Sequence, residues 1–175
     1  MRVRLVSAID RVSNVAAVLG GVGMVAILLF TMNEIVFRSL IGHGFRFSWE
    51  FSGFAMAASF FLPAGYTLRH GAHVRTSALH GLLRPGPLLF VDRICCLIGM
   101  LVIGYATLAM ANSAIGSYSL GEHSWSGTGT PLWIPKAIIA FGLLVFAMQC
   151  LAEALRSAEE RNAIANNSVP QSEGL

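Results

Sequence analysis

The fold class this sequence predicts is an all-α integral membrane protein with four transmembrane helices and both termini in the cytoplasm. Three observations carry that reading. Hydrophobic residues make up 55% of the 175 and charged residues 12%, with a mean hydropathy of +0.66, outside the range of soluble domains. Four apolar stretches each approach the ~20 residues that a helix needs to cross the hydrocarbon core of a bilayer. Arginine and lysine gather at the ends of those stretches, where their distribution assigns a side.

In chain order, residues 1–11 are a basic cytoplasmic head, with Arg2, Arg4 and Arg11 against Asp10. The membrane domain is expected over 12–155, with helices over about 12–37, 49–68, 90–111 and 131–155. The first apolar run, Val12 to Met32, exceeds the ~7–15 residues of a signal-peptide core, and no small-x-small cleavage site follows it. It is expected to stay as helix 1. Ala16 and Gly20, with Gly23 close by, offer a small-residue face for another helix; Gly53 and Ala57 do the same on helix 2, which opens at Trp49. Pro63 has no amide hydrogen, so the carbonyl of Ser59 loses its helical partner and helix 2 should kink.

The connector from Arg69 to Pro87 is basic and rich in glycine and histidine. Within it, HVRTSALHGLL sets leucines on one side and basic groups on the other, which suits a place in the membrane interface. Asp92 and Arg93 sit at the start of helix 3, and a Gly/Ser-rich loop from Asn112 to Thr130 follows it, with Trp125 as an interfacial residue. Helix 4 opens near Pro131 or Pro135, since a proline in a first turn sacrifices no hydrogen bond. Residues 156–175 read as a polar, frayed cytoplasmic tail.

Orientation follows from counting cations. With both termini on one side, that side carries nine arginines, in the head, the helix 2 to 3 connector and the tail; the other carries Arg38, Arg46 and Lys136. The excess belongs in the cytoplasm, which leaves the turn between Glu34 and Glu50 outside. The same scatter at segment ends argues against nucleic acid, which would need a clustered phosphate-tracking face. Cys95, Cys96 and Cys150 match no metal or redox spacing and read as buried apolar side chains.

Charges beside hydrocarbon-length segments are expensive and ask for a partner or an interface. Glu34 and Arg38 close helix 1, Trp49 and Glu50 open helix 2, and His73 and Arg75 follow its far end. Glu34 and Arg38 stand i, i+4, worth about 0.2–0.5 kcal/mol if exposed, whereas stranding one member of a buried pair costs about 3–5 kcal/mol. A network of Glu34, Arg38 and Glu50 that pins helix 1 to helix 2 and presents Trp49 to a partner subunit or to lipid headgroups is therefore expected. The alternative is a set of interfacial anchors without specific partners. His70, His73 and His80 have no Cys, Asp or Glu beside them in the connector, so no metal site is expected. Helices 1, 3 and 4 contain no histidine to offer a haem, which weighs against the rival class, a membrane-anchor subunit of a redox complex. A stand-alone proton-coupled exporter would need an ionisable residue near mid-membrane, and Glu34 lies close to a helix end. No catalytic constellation and no cofactor motif is present, so no enzyme activity is expected.

E-x-x-x-R at the end of helix 1 (Glu34, Arg38), W-E opening helix 2 (Trp49, Glu50), G-x-H-x-R after it (Gly71, His73, Arg75) and T-P-L-W-I-P-K opening helix 4, with Trp133 inside it, follow one another on a four-helix chain. In that order, from about Val12 to Arg156, the chain resembles the small membrane subunit of tripartite ATP-independent periplasmic (TRAP) transporters, the DctQ-like family. The resemblance implies a bacterial inner-membrane scaffold subunit without catalysis of its own. Its expected partners are a large multi-spanning permease subunit that moves by an elevator-like motion, a periplasmic solute-binding protein, and membrane lipids, with sodium coupling in the large subunit. The solute expected is carboxylate-bearing. Family members usually carry an acidic residue two positions after the arginine of H-x-R; here Arg75 is followed by Thr76 and Ser77.

Overall fold

The computed structural model describes residues 2–42, 46–70, 85–125 and 128–155. His73, Arg75, most of the interfacial connector and the polar tail lie outside them. The described residues form five helices: α1 (Arg2–Ile41), α2 (Arg46–Phe61), α3 (Ala64–Arg69), α4 (Pro85–Ser119) and α5 (Trp133–Leu155). They supply four spans long and apolar enough to cross a membrane, α2 and α3 together making the second.

Two helices are longer than a bilayer requires. No glycine or proline interrupts Arg2 to Leu19, so the basic head is part of α1, whose 40 residues reach about 60 Å at 1.5 Å per residue. Likewise α4 continues to Ser119, past the end expected near residue 111. Asn112, Ser113 and Ser117 are polar but do not break a helix, and the turn comes only at Gly121, whose φ of 61° suits a residue without a Cβ.

Helix 2 does break at Pro63. The amide of Leu62 still reaches the carbonyl of Ala58 at 3.0 Å, and the next helical bond shown after the proline is from Thr67 to the Pro63 carbonyl, also 3.0 Å. The chain between is a bend and a turn, after which α3 resumes. This interruption is where the bundle packs most tightly. A Cβ at Gly20 of α1 would lie 2.7 Å from the Pro63 ring, and one at Gly142 of α5 would lie 2.7 Å from the carbonyl carbon and oxygen of Phe61. Gly65 meets Val145 of α5 and Ser13 of α1 in the same way. Ala16, Gly20 and Gly23 thus form the face of α1 that receives α2 and α3.

α5 touches every other helix and is the most buried, whereas the principal neighbour of α4 is α5 alone. The apolar core is small: Ala16, Leu62 and Val145, with Ala58 and Ile138 against them. The largest fully buried side chains are Gln149, Val145, Ser13 and Ser117, of which three are polar. That inverts the soluble pattern because lipid already solvates leucine and isoleucine, so helices associate through small residues and hydrogen bonds instead. Large aliphatic side chains accordingly line the outside of α1 and α4, Leu28, Leu101 and Leu108 among them.

Candidate functional site

The end of the bundle that carries the α1–α2 turn holds most of the residues singled out from the sequence. Glu34 accepts a hydrogen bond from the Arg38 guanidinium at 2.8 Å, with the arginine side chain 70% exposed and the glutamate 20%. At that exposure the pair is worth only a few tenths of a kcal/mol, about 0.3–0.5. Just below, Phe30 of α1 packs against Phe47 and Phe51 of α2, with ring centroids 5.8 and 6.1 Å apart, so aromatic contact holds the two helices together here.

Glu50 makes a tie that local spacing did not suggest. It is 8% exposed, and its carboxylate accepts from the hydroxyl of Thr128 in the loop between α4 and α5. The first helical hairpin is thereby joined to the second. Trp49, its neighbour in sequence, points outward at 84% exposure. Trp133 is edge-on to Tyr118 at 5.7 Å, joining the end of α4 to the start of α5.

The α4–α5 loop has its own polar clasp. Ser117 donates to Glu122 at 2.6 Å, and the Lys136 ammonium lies 3.2 Å from the same carboxylate oxygen while donating to Ser117 as well. The Ser117 hydroxyl first, and then the Lys136 ammonium, hold the Glu122 carboxyl below its ordinary value by favouring the charged form. Backbone bonds from Leu132 to Glu122 and from Ser124 to Thr130 close the loop into a short antiparallel bridge. Trp125 at its tip is fully exposed.

Sequence reading missed the cluster at the opposite end. The sequence places Asp10 in the head and Arg69 in the connector and gives Gln149 and Glu153 no role. In the fold, the Gln149 amide donates to Asp10 at 3.0 Å, and the Arg69 guanidinium lies 3.7 Å from Asp10 and donates to the side-chain oxygen Oδ1 of Asn14 at 3.4 Å. Gln149 and Glu153 are buried, at 0% and 2% exposure. The available signal was two polar residues four apart in an otherwise apolar helix, which marks an inward face.

Gly53 faces away from the helix contacts. A Cβ there would meet nothing within 4 Å, and Gly53 and Ala57 line an open apolar groove of about 560 Å³ with Met56, Phe60, Leu143 and Phe146. Close packing within the chain thus runs through Gly20, Gly23, Gly65 and Gly142, while Gly53 remains available to lipid or to another subunit. Among the described residues no three His, Cys, Asp or Glu side chains come together as a metal cluster. His73 and Arg75 lie outside the described residues.

A model of the family described as "Tripartite ATP-independent periplasmic transporters, DctQ component" matches residues 27–160. The chain is also similar to the ectoine TRAP transporter small permease protein TeaB of Halomonas elongata, at 23% identity over 158 residues, covering 90% of this chain and 81% of that protein. No solved structure matches it.

Proposed function

Because this chain belongs to the DctQ component family of TRAP transporters, multi-pass proteins of the bacterial inner membrane, we propose that it is the stationary scaffold of one such importer. In this reading it pairs with a large multi-spanning permease subunit, and together they import a carboxylate-bearing solute that a periplasmic binding protein delivers. Sodium coupling resides in the large subunit. Both termini are placed in the cytoplasm in this reading, which the excess of arginine on their side supports. The observation that carries the proposal is the family match across most of a four-span bundle held internally by glycine contacts and polar ties.

The partner surface is assigned to what the bundle leaves open. Trp49 and the Glu34–Arg38 pair present an exposed aromatic and an exposed cation at one end, and the groove at Gly53 and Ala57 offers an apolar slot along the span. Trp133, packed edge-on against the exposed Tyr118, adds a further aromatic at this end. His73 and Arg75 are proposed to contact the partner or lipid phosphate at the other end.

Affinity purification of the tagged chain from its own host in mild detergent, followed by mass spectrometry, tests the pairing. The expected outcome is a stoichiometric polytopic partner without haem absorbance. A chain that comes alone, or with a coloured redox subunit, refutes the reading and restores the redox-anchor alternative. Arg38→Ala separates the two roles of the pair: reduced complex yield from a normally stable subunit supports partner contact, and intact assembly and transport rejects it. The solute is selected by the partner subunits, so it is found by screening the co-purified system's binding protein against carboxylates and against ectoine, the solute in TeaB's name.

A further inference from the structure

The polar cluster between α1, α3 and α5 has an internal logic that its direct contacts do not exhaust. Asp10, Ser13 and Asn14 stand i, i+3 and i+4 on α1, and so share a face; Arg69 closes α3, and Gln149 comes from α5. Asp10 receives both the Gln149 amide at 3.0 Å and the Arg69 guanidinium at 3.7 Å. An ion-paired carboxylate only accepts, so the amide nitrogen of Gln149 must face it and the amide oxygen must face away.

Among the described residues that oxygen finds no donor. Gln149 and Ser13 are both 0% exposed, yet Gln149 Oε1, Ser13 Oγ and Arg69 Nε are buried without a protein hydrogen-bond partner. Gly65 lets α3 approach this spot closely: a Cβ there would stand 3.1 Å from Ser13 Oγ and 3.4 Å from Val145. One orphan group only donates (Arg69 Nε), one only accepts (Gln149 Oε1) and one does both (Ser13 Oγ). A cation would satisfy the acceptors alone and meet the charge of Arg69. An anion would meet Asp10 and the Gln149 oxygen. Water, which donates and accepts, is complementary to all three, and two to four polar partners are what a buried water needs.

We propose that Ser13, Arg69 and Gln149 bound an internal hydration site, and that this hydrated polar lock holds α3, the segment beyond the Pro63 break, against α1 and α5. The break makes such a lock necessary. A six-residue helix has little stability of its own, so its place depends on what it touches.

Radiolytic hydroxyl labelling with pulsed X-rays tests this on the full chain in its native complex, using water enriched in oxygen-18 and reading peptides by mass spectrometry. Val145, 2% exposed and close to Gly65 as Ser13 is, is expected to take up label despite its burial, because radicals form from the water beside it. Ser13→Ala, which removes a single oxygen, and Gln149→Leu should each lower labelling at Val145 several-fold while leaving exposed Leu101 unchanged. Background labelling at Val145 in the unmodified chain, or labelling in both variants as strong as in the unmodified chain, overturns the proposal. So does a melting temperature of the purified subunit, measured apart from the sodium-coupled large subunit, that rises with sodium but not with N-methylglucamine, which would identify a cation in that place.

Discussion

Replacing Gly142 by alanine is the sharpest test of how the bundle is held. The added Cβ would lie 2.7 Å from both the carbonyl carbon and the oxygen of Phe61, about 0.7 Å inside the 3.4 Å at which ordinary contact begins. Phe61 meets it with backbone, so no rotamer change relieves the overlap and α5 must move away from α2. Overpacking of this kind costs about 1–3 kcal/mol, and alanine's better helix propensity returns up to about 1 kcal/mol. A net loss of up to about 2 kcal/mol is expected. Gly104→Ala on α4 is the control: nothing lies within 4 Å of its Cβ, so only the propensity gain of about 0.5–1 kcal/mol remains. The two substitutions are chemically identical and should differ in sign. Steric-trap unfolding of the purified subunit in bicelles, run side by side, measures both. If Gly142→Ala proves as stable as Gly104→Ala, the backbone contact at Phe61 is not the close approach described, and the role given to the Pro63 break fails with it.

Three further outcomes can be checked separately. Asp10→Ala strands the Arg69 guanidinium and the Gln149 amide in a largely buried place, and should destabilise the subunit by on the order of 3 kcal/mol in the same unfolding assay, with no rescue by salt. Glu122 is held below its ordinary value of 4.5, so its contribution is present above that pH and is lost as pH falls through the lowered folded value. Melting temperatures of the parent and Glu122→Gln should therefore differ at neutral pH, converge in acid, and lie closer together in high salt because the group is exposed. Gly53→Leu should not lower the melting temperature of the isolated subunit, since its Cβ meets nothing and leucine is the better helix former, while lowering the yield of the co-purified complex by filling the groove. Unchanged yield would remove Gly53 and Ala57 from the partner surface.

The fold class was legible in the sequence because membrane insertion is a one-dimensional constraint. A run of about 20 apolar residues must become a hydrogen-bonded helix in lipid wherever it occurs, so composition and spacing suffice to count the spans. The same holds for the break at Pro63, whose missing amide hydrogen is a local fact, and for the Glu34–Arg38 pair, set by i, i+4 geometry. The family followed from short motifs in order along the chain, and the match over residues 27–160 agrees with it.

What local reasoning could not reach was decided by which faces meet. Gly53 and Gly142 look alike in sequence, yet one lines an open groove and the other touches the backbone of Phe61. Glu50 finds Thr128, 78 positions away, and Asp10 finds Gln149, 139 positions away. In a bilayer every helix is apolar nearly all round, so no amphipathic stripe announces the inward face. The few polar and glycine positions that choose it become informative only once the helices are placed beside one another.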